Sequence, residues 1–182
     1  MAAPNANPNC PTRPFRVGHG YDLHRLEPHS DSASGAQPVR PLILGGVWIA
    51  HDRGPVAHSD GDALLHAVTD ALLGALGEPD IGQLFPDTDP RHDAQDSRVF
   101  LHEAARRVRE SGYEVSNLDA TVILERPKLS PHKASMRANI AAVIGIDEAR
   151  VNIKGKTHEK VDAVGEGKAV EVHVVVLLAA SR

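Results

Sequence analysis

Apolar and polar positions recur along this chain with two different periods, and the switches between them mark out the elements. Alternation through "FRVGHGYDLHRL", residues 15–26, predicts a strand in which Asp22 and His24, two apart, point to one face. "RPLILGGVWIA" predicts two short strands broken at Gly45-Gly46 as a hairpin. Over residues 59–76 the period changes: Leu65, Val68, Leu72 and Leu76 have helical spacing, with Ser59 or Asp60 as the expected N-cap and Gly77 as the stop. A second helix is expected in "DSRVFLHEAARRVRESG", started by Asp96 or Ser97 and stopped by Gly112, and a third in "SPHKASMRANIAAVIG" with Pro131 in its first turn. "NLDATVILER", "RVNIKGKTHEK" and "AVEVHVVVLLAA" read as strands, whereas "DIGQLFPDTDPRHDAQ" carries too many turn formers for a long helix and reads as an ordered loop. The order of elements predicts an α/β (α+β) single domain with a mixed β-sheet and helices packed on one face, over residues 15–182. Residues 1–14, rich in Pro and Asn, read as a disordered leader, and the polar stretch at 28–38 as a loop.

Composition narrows the function classes. A chain of 182 residues with 41% hydrophobic content has enough apolar material for one ordinary core. A net charge of -4 argues against a broad basic surface for nucleic acid. No apolar run reaches the roughly 18 residues of a membrane span, and the start of the chain has no apolar signal-peptide centre, so a cytoplasmic, membrane-free protein is expected. The single cysteine, Cys10, excludes an internal disulfide and a cysteine-built zinc site.

The chemistry lies with histidine and carboxylate. Asp22 and His24 form two-thirds of a His/carboxylate metal site, and the first helix offers His66, flanked by Asp62 and Asp70 at i, i+4 and i+8. A zinc ion with three protein ligands keeps a position for substrate, which suits catalysis. His58 and Ser59 precede the helix where free backbone N–H groups attract anions. Two later loops collect cations and hydroxyls suited to phosphate: Arg126, Lys128 and His132 in "ERPKLSPH", and Lys154, Lys156 and Thr157 in "KGKTHEK", where Glu159 adds a carboxylate for a hard cation such as Mg2+. Each residue also has a plain alternative: capping for Ser59 or Asp60, a hydrogen-bonded histidine for His66, and solvated loop charges for the rest. His19, His92, His102 and His173 read as surface or packing histidines.

Taken in order, "GHGYDLHRL", "AHSDGDALLHAVTDALLGALGEPDIGQLFPDTDP", "ERPKLSPH" and "KGKTHEK" closely resemble the 2-C-methyl-D-erythritol 2,4-cyclodiphosphate synthases of the non-mevalonate isoprenoid pathway. The resemblance implies conversion of 4-diphosphocytidyl-2-C-methyl-D-erythritol 2-phosphate into the cyclic diphosphate and CMP. It implies Zn2+ or another divalent metal on Asp22, His24 and His66, and Mg2+ or Mn2+ on Glu159 with the diphosphate. His58, Ser59, Asp62 and Thr157 would be catalytic, with Asp62 orienting the metal histidine or its surroundings. Asp80, Gly82, Phe85, Asp87 and Asp89 would meet or cover the methylerythritol end, and Leu124, Pro127, Lys128, Leu129, Gly155, Lys156 and Thr157 the cytidine and diphosphate end. Such enzymes are homotrimers whose active sites lie between subunits. Where many relatives have a Gly-Arg-Gly-Glu turn facing the trimer axis, this chain reads "EKVDAVGEG", shorter and without the arginine, which argues against an isoprenoid diphosphate ligand there. A zinc phosphoesterase and a non-catalytic trimeric nucleotide-binding protein are the competing classes.

Overall fold

The computed structural model describes residues 14–29 and 39–181, so the expectation of a disordered leader and most of the expected loop at 28–38 fall outside the described residues. The strands are β1 (Phe15–Pro28), β2 (Ile43–Leu44), β3 (Val47–Trp48), β4 (Arg53–Pro55), β5 (Tyr113–Ile123), β6 (Val151–Lys156) and β7 (Ala169–Ala180). The helices are α1 (Ala63–Leu76), α2 (Ile81–Leu84), α3 (Arg98–Glu110), α4 (Lys133–Ile144) and α5 (Asp162–Gly165). Five strands form one sheet in the order β4-β1-β7-β5-β6, with β5 and β6 parallel and the other neighbours antiparallel, and β2-β3 form the expected hairpin. Among the described residues no helix is long and apolar enough to cross a membrane.

Alternation in β7 decides which face is covered. Val170, Val172, Val174, Val176 and Leu178 are buried and share one core with the buried leucines of α1, with Leu101 and Ala104 of α3, and with Met136 and Ile140 of α4. Helix α1 lies directly on β1. The opposite face of β1 and β7 keeps Phe15, Val17, Tyr21, Leu23 and Val175 exposed, with Val17 at 67%. They form an apolar stripe, interrupted by His19 on β1 and by Glu171 and His173 on β7, on a sheet face that no helix among the described residues covers.

Several boundaries differ from expectation, each for a local reason. Helix α1 starts at Ala63 with Asp62 as its cap, not Ser59 or Asp60, because Gly61 takes a left-handed φ of 75° that no helix continues through. Pro131 precedes the cap residue His132 and lies outside α4. Strand β5 starts at Tyr113, ahead of "NLDATVILER", and absorbs the irregularity as a bulge between Val115 and Asn117. The ordered loop at 80–95 contains α2 and a 3-10 turn at Pro90–His92. Strand β4 was not expected, since Gly54 and Pro55 have low strand propensity; it forms by pairing with the end of β1. Nor was α5, whose Asp162 has φ 61°.

Candidate active site

Strand β1 and helix α1 bring three donor atoms together. Asp22 Oδ2 lies 3.1 Å from His24 Nε2 and 3.1 Å from His66 Nδ1, and the two ring nitrogens are 3.2 Å apart. Two bonds of about 2.05 Å at a tetrahedral angle place their donors about 3.3 Å apart, so the triangle has the dimensions of a zinc-type site. The set is two imidazoles and a carboxylate, and it is a group that can hold a divalent metal ion.

Two of the three donors are fixed from behind. The Leu23 N–H donates to Asp22 Oδ1 at 2.9 Å, which leaves Oδ2 to face the imidazoles. Burial alone would raise the Asp22 carboxyl, yet the His24 and His66 imidazoles hold it well below the usual carboxylate range. His66 is also buried, which disfavours its cation, but Asp22 outweighs that and raises it. On the far side of the His66 ring, Ser97 Oγ lies 2.8 Å from Nε2 and donates its own proton to Asp60 Oδ1 at 2.5 Å. A hydroxyl that has given its proton to a carboxylate accepts at its lone pair, so Nε2 carries the hydrogen and Nδ1 faces the triangle. Ser59 Oγ supports the same nitrogen at 3.3 Å. Ser97 was expected only as a helix start; its side chain makes no cap bond in α3, and the capping pattern "DS" gave no sign of its contact with the helix before it. Ser97→Ala is expected to weaken zinc binding about 10-fold or more, as loss of an outer partner of a metal histidine does, read by competition with a chromophoric chelator.

Asp62 does not orient the imidazole with its carboxylate. The side chain is fully buried and accepts the N–H groups of Gly45 at 2.9 Å, Gly46 at 2.6 Å and Leu65 at 3.0 Å, tying the β2-β3 turn to the start of α1. Burial pushes its carboxyl up to about 6 against the pull of these three donors. An unfolded aspartate ionises near pH ~3.9, so between the two values the folded state holds a proton that the unfolded state has lost. This contribution to stability is therefore present at low pH and is lost as pH rises through about 6. In urea unfolding, the stability of the wild type minus that of Asp62→Asn is expected to be larger at about pH 4.5 than at about pH 7.5, by roughly 2 kcal/mol.

The triad opens into a cleft of about 480 Å³ whose wall includes His58, Ser59, Gly82, Phe85 and Asp87. His58 Nε2–H donates to the Asp89 carbonyl at 3.2 Å. Asp80 and Asp89 do not reach the cleft wall: Asp80 caps α2 and takes both Gln83 N–H groups, and the Asp89 carboxylate is held by the Arg91 guanidinium. Asp70, the third member of the expected polar strip, accepts the Ile81 N–H at 2.8 Å and so anchors α2 beside the cleft.

A second cleft, of about 320 Å³, lies where β5 and β6 end. Leu124, Pro127, Lys128, Leu129, Gly155, Lys156, Thr157 and Glu159 all line it, together with Glu125, Ser130 and Lys133, which sequence reasoning did not single out. Thr157 Oγ1 donates to Glu159 Oε1 at 2.8 Å. Among the described residues none lines both clefts, so the metal triad and the cation-rich pocket lie apart.

A family model described as the YgbB family matches residues 15–179. The chain is 57% identical over 173 residues to the chloroplastic 2-C-methyl-D-erythritol 2,4-cyclodiphosphate synthase of Oryza sativa subsp. japonica, covering 95% of this chain and 73% of that one. It is 54% identical to the 2-C-methyl-D-erythritol 2,4-cyclodiphosphate synthase of Chromobacterium violaceum, covering 91% of this chain and 98% of that protein. Among solved structures, the CDP complex of IspF from Plasmodium falciparum superimposes with a TM-score of 0.77 at 37% identity, over 92% of this chain and 97% of that one.

Proposed function

We propose, for a chain that belongs to the YgbB family, the reaction that its relatives are named for. It is a lyase that converts 4-diphosphocytidyl-2-C-methyl-D-erythritol 2-phosphate into 2-C-methyl-D-erythritol 2,4-cyclodiphosphate and CMP. An oxygen of the 2-phosphate attacks the β-phosphorus, the bond from that phosphorus to the oxygen bridging it to the α-phosphate breaks, and CMP leaves with the electron pair. The observation that carries this reading is the pairing of a divalent-metal triad in one cleft with a lysine- and threonine-lined pocket in another.

The chemical difficulty is charge. Nucleophile and electrophile are phosphates of one substrate, and they repel until something draws the chain into a ring. A divalent ion on Asp22, His24 and His66, Zn2+ by ligand type, offsets phosphate charge when bound, as does Mg2+ or Mn2+ on Glu159 with the diphosphate. His58 and Ser59 line the wall beside the triad, where they hold the phosphate in line for attack. Lys128, Lys156 and Thr157 hold the nucleotide end, with Leu124, Pro127 and Leu129 as the apolar wall for the base. Gly82, Phe85 and Asp87 enclose the methylerythritol end. The attacking phosphate is ionised at neutral pH, so no general base is required.

The active enzyme is a homotrimer in this reading, with the triad of one subunit facing the nucleotide pocket of the next. Two features support it: among the described residues none lines both clefts, and the exposed face of β1 and β7 carries Phe15, Val17, Tyr21 and Leu23. We place it in the cytoplasm. Phosphorus NMR of the purified chain with the cytidine diphosphate substrate, Zn2+ and Mg2+ tests the proposal. Equal amounts of CMP and cyclic diphosphate are expected; inorganic phosphate would identify a phosphoesterase, and tight CMP binding without turnover a nucleotide-binding protein.

A further inference from the structure

The face of the sheet opposite the triad holds a second pair of histidines in closely similar geometry. His19 of β1 and His173 of β7 are diagonal neighbours, since His19 pairs with Val175 and Tyr21 with His173. His19 Nε2 lies 3.4 Å from His173 Nδ1, with ring centroids 5.6 Å apart. In the triad, His24 Nε2 lies 3.2 Å from His66 Nδ1, with centroids 5.3 Å apart. Both separations match the ~3.3 Å expected of two imidazoles on one tetrahedral ion.

The outer support is repeated as well. Glu171 Oε1 accepts from His173 Nε2 at 2.8 Å, which keeps the hydrogen on that nitrogen and turns the Nδ1 lone pair toward His19. A carboxylate behind a ligating histidine also raises its basicity toward a metal. The Tyr21 ring, 5.0 Å from that of His173, packs beside it and restricts its rotation. Glu171 is itself mostly buried, its side chain 17% exposed, so the support is built into the sheet.

We propose that His19 and His173 form a second transition-metal site, a two-imidazole chelate for Zn2+ or a similar borderline ion, with Glu171 as its orienting carboxylate. Two protein ligands leave the remaining positions to water or to donors of another copy, so the site binds more weakly than the triad. It joins β1 to β7 in the middle of the apolar stripe. None of its residues lines either cleft of the proposed reaction, although the pair lies on the face by which that reading joins subunits.

The test is a Zn2+ titration of the untagged, demetallated protein in its native assembly, by competition with a chromophoric chelator. Two equivalents per chain are expected, one tight and one weaker. His173→Gln and His19→Gln should each remove the weaker equivalent, raising its Kd at least 10-fold, while the tight equivalent keeps its wild-type affinity. Glu171→Gln should weaken it several-fold, and Asp22→Ala should remove the tight equivalent alone. A single equivalent in the wild type, or a second one that survives both histidine substitutions, would overturn the proposal. Loss of the tight equivalent's link to Asp22 would instead count against the triad reading.

Discussion

Replacing Asp22 by alanine is expected to lower the rate of CMP release by about 1,000-fold or more and to weaken zinc binding at the triad by at least about 100-fold. The reason is the part this carboxylate plays in the triangle. It is the only anionic donor of the three, and its Oδ2 is 3.1 Å from both imidazole nitrogens, so its loss removes one ligand and the charge that orients the other two. His24 and His66 would remain, 3.2 Å apart, with no anion between them. Asp22→Asn keeps the shape and the Oδ1 contact with the Leu23 N–H but removes the charge, so it should fall between alanine and wild type. Saturating Zn2+ separates the two effects: recovery of rate at high metal would assign the defect to affinity, whereas a persistent defect assigns it to placement of the phosphates. Turnover within about 10-fold of wild type for the alanine variant would mean that the reaction does not take place at this cleft.

Much of this site is readable before folding because its parts are local. Asp-x-His on an alternating strand puts both side chains on one face by backbone geometry alone, and His66 follows from the helical period of the residues around it. The lining of the second cleft is nearly as local, since it comes from the end of β6, the loops that follow β5 and β6, and Lys133 at the start of α4. What sequence reasoning missed depends on contacts between elements. Asp62 looked like a partner for His66 four residues on, but the left-handed Gly61 makes Asp62 the helix cap and turns its carboxylate to the Gly45-Gly46 turn. Ser97 looked like a cap, but the approach of α3 to α1 makes it the support of His66. His19 and His173 are 154 residues apart and meet only because β1 and β7 are neighbours in the sheet. Periodicity carries none of this, since it fixes a face and not what stands across from it.

Gly20 depends most on such a contact, and Gly20→Ala is expected to cost at least about 3 kcal/mol of folding stability. A Cβ at this position would lie 1.8 Å from the Ala67 carbonyl oxygen and 2.7 Å from the Ala71 nitrogen, both backbone atoms of α1 that no side-chain rotation can clear. Gly18 meets the same helix at 1.9 Å from the Ala71 carbonyl, so the two glycines together let α1 lie against β1. Asp22, His24 and His66, the group that could hold a metal ion, stand on those two elements. Separating them by even part of an ångström moves Asp22 and His24 away from His66, so the same substitution should weaken zinc binding as well as stability. Gly74→Ala provides the contrast. It is an exposed position within α1 whose nearest neighbour for a Cβ is the His19 carbonyl at 3.8 Å, so alanine fits and helix propensity favours it by about 0.5–1 kcal/mol. Urea unfolding of the two variants should therefore move in opposite directions from wild type, although each adds one methyl group to the same strand and helix contact. If Gly20→Ala unfolded at wild-type urea with zinc affinity unchanged, close approach of α1 to β1 would not be what holds the triad together.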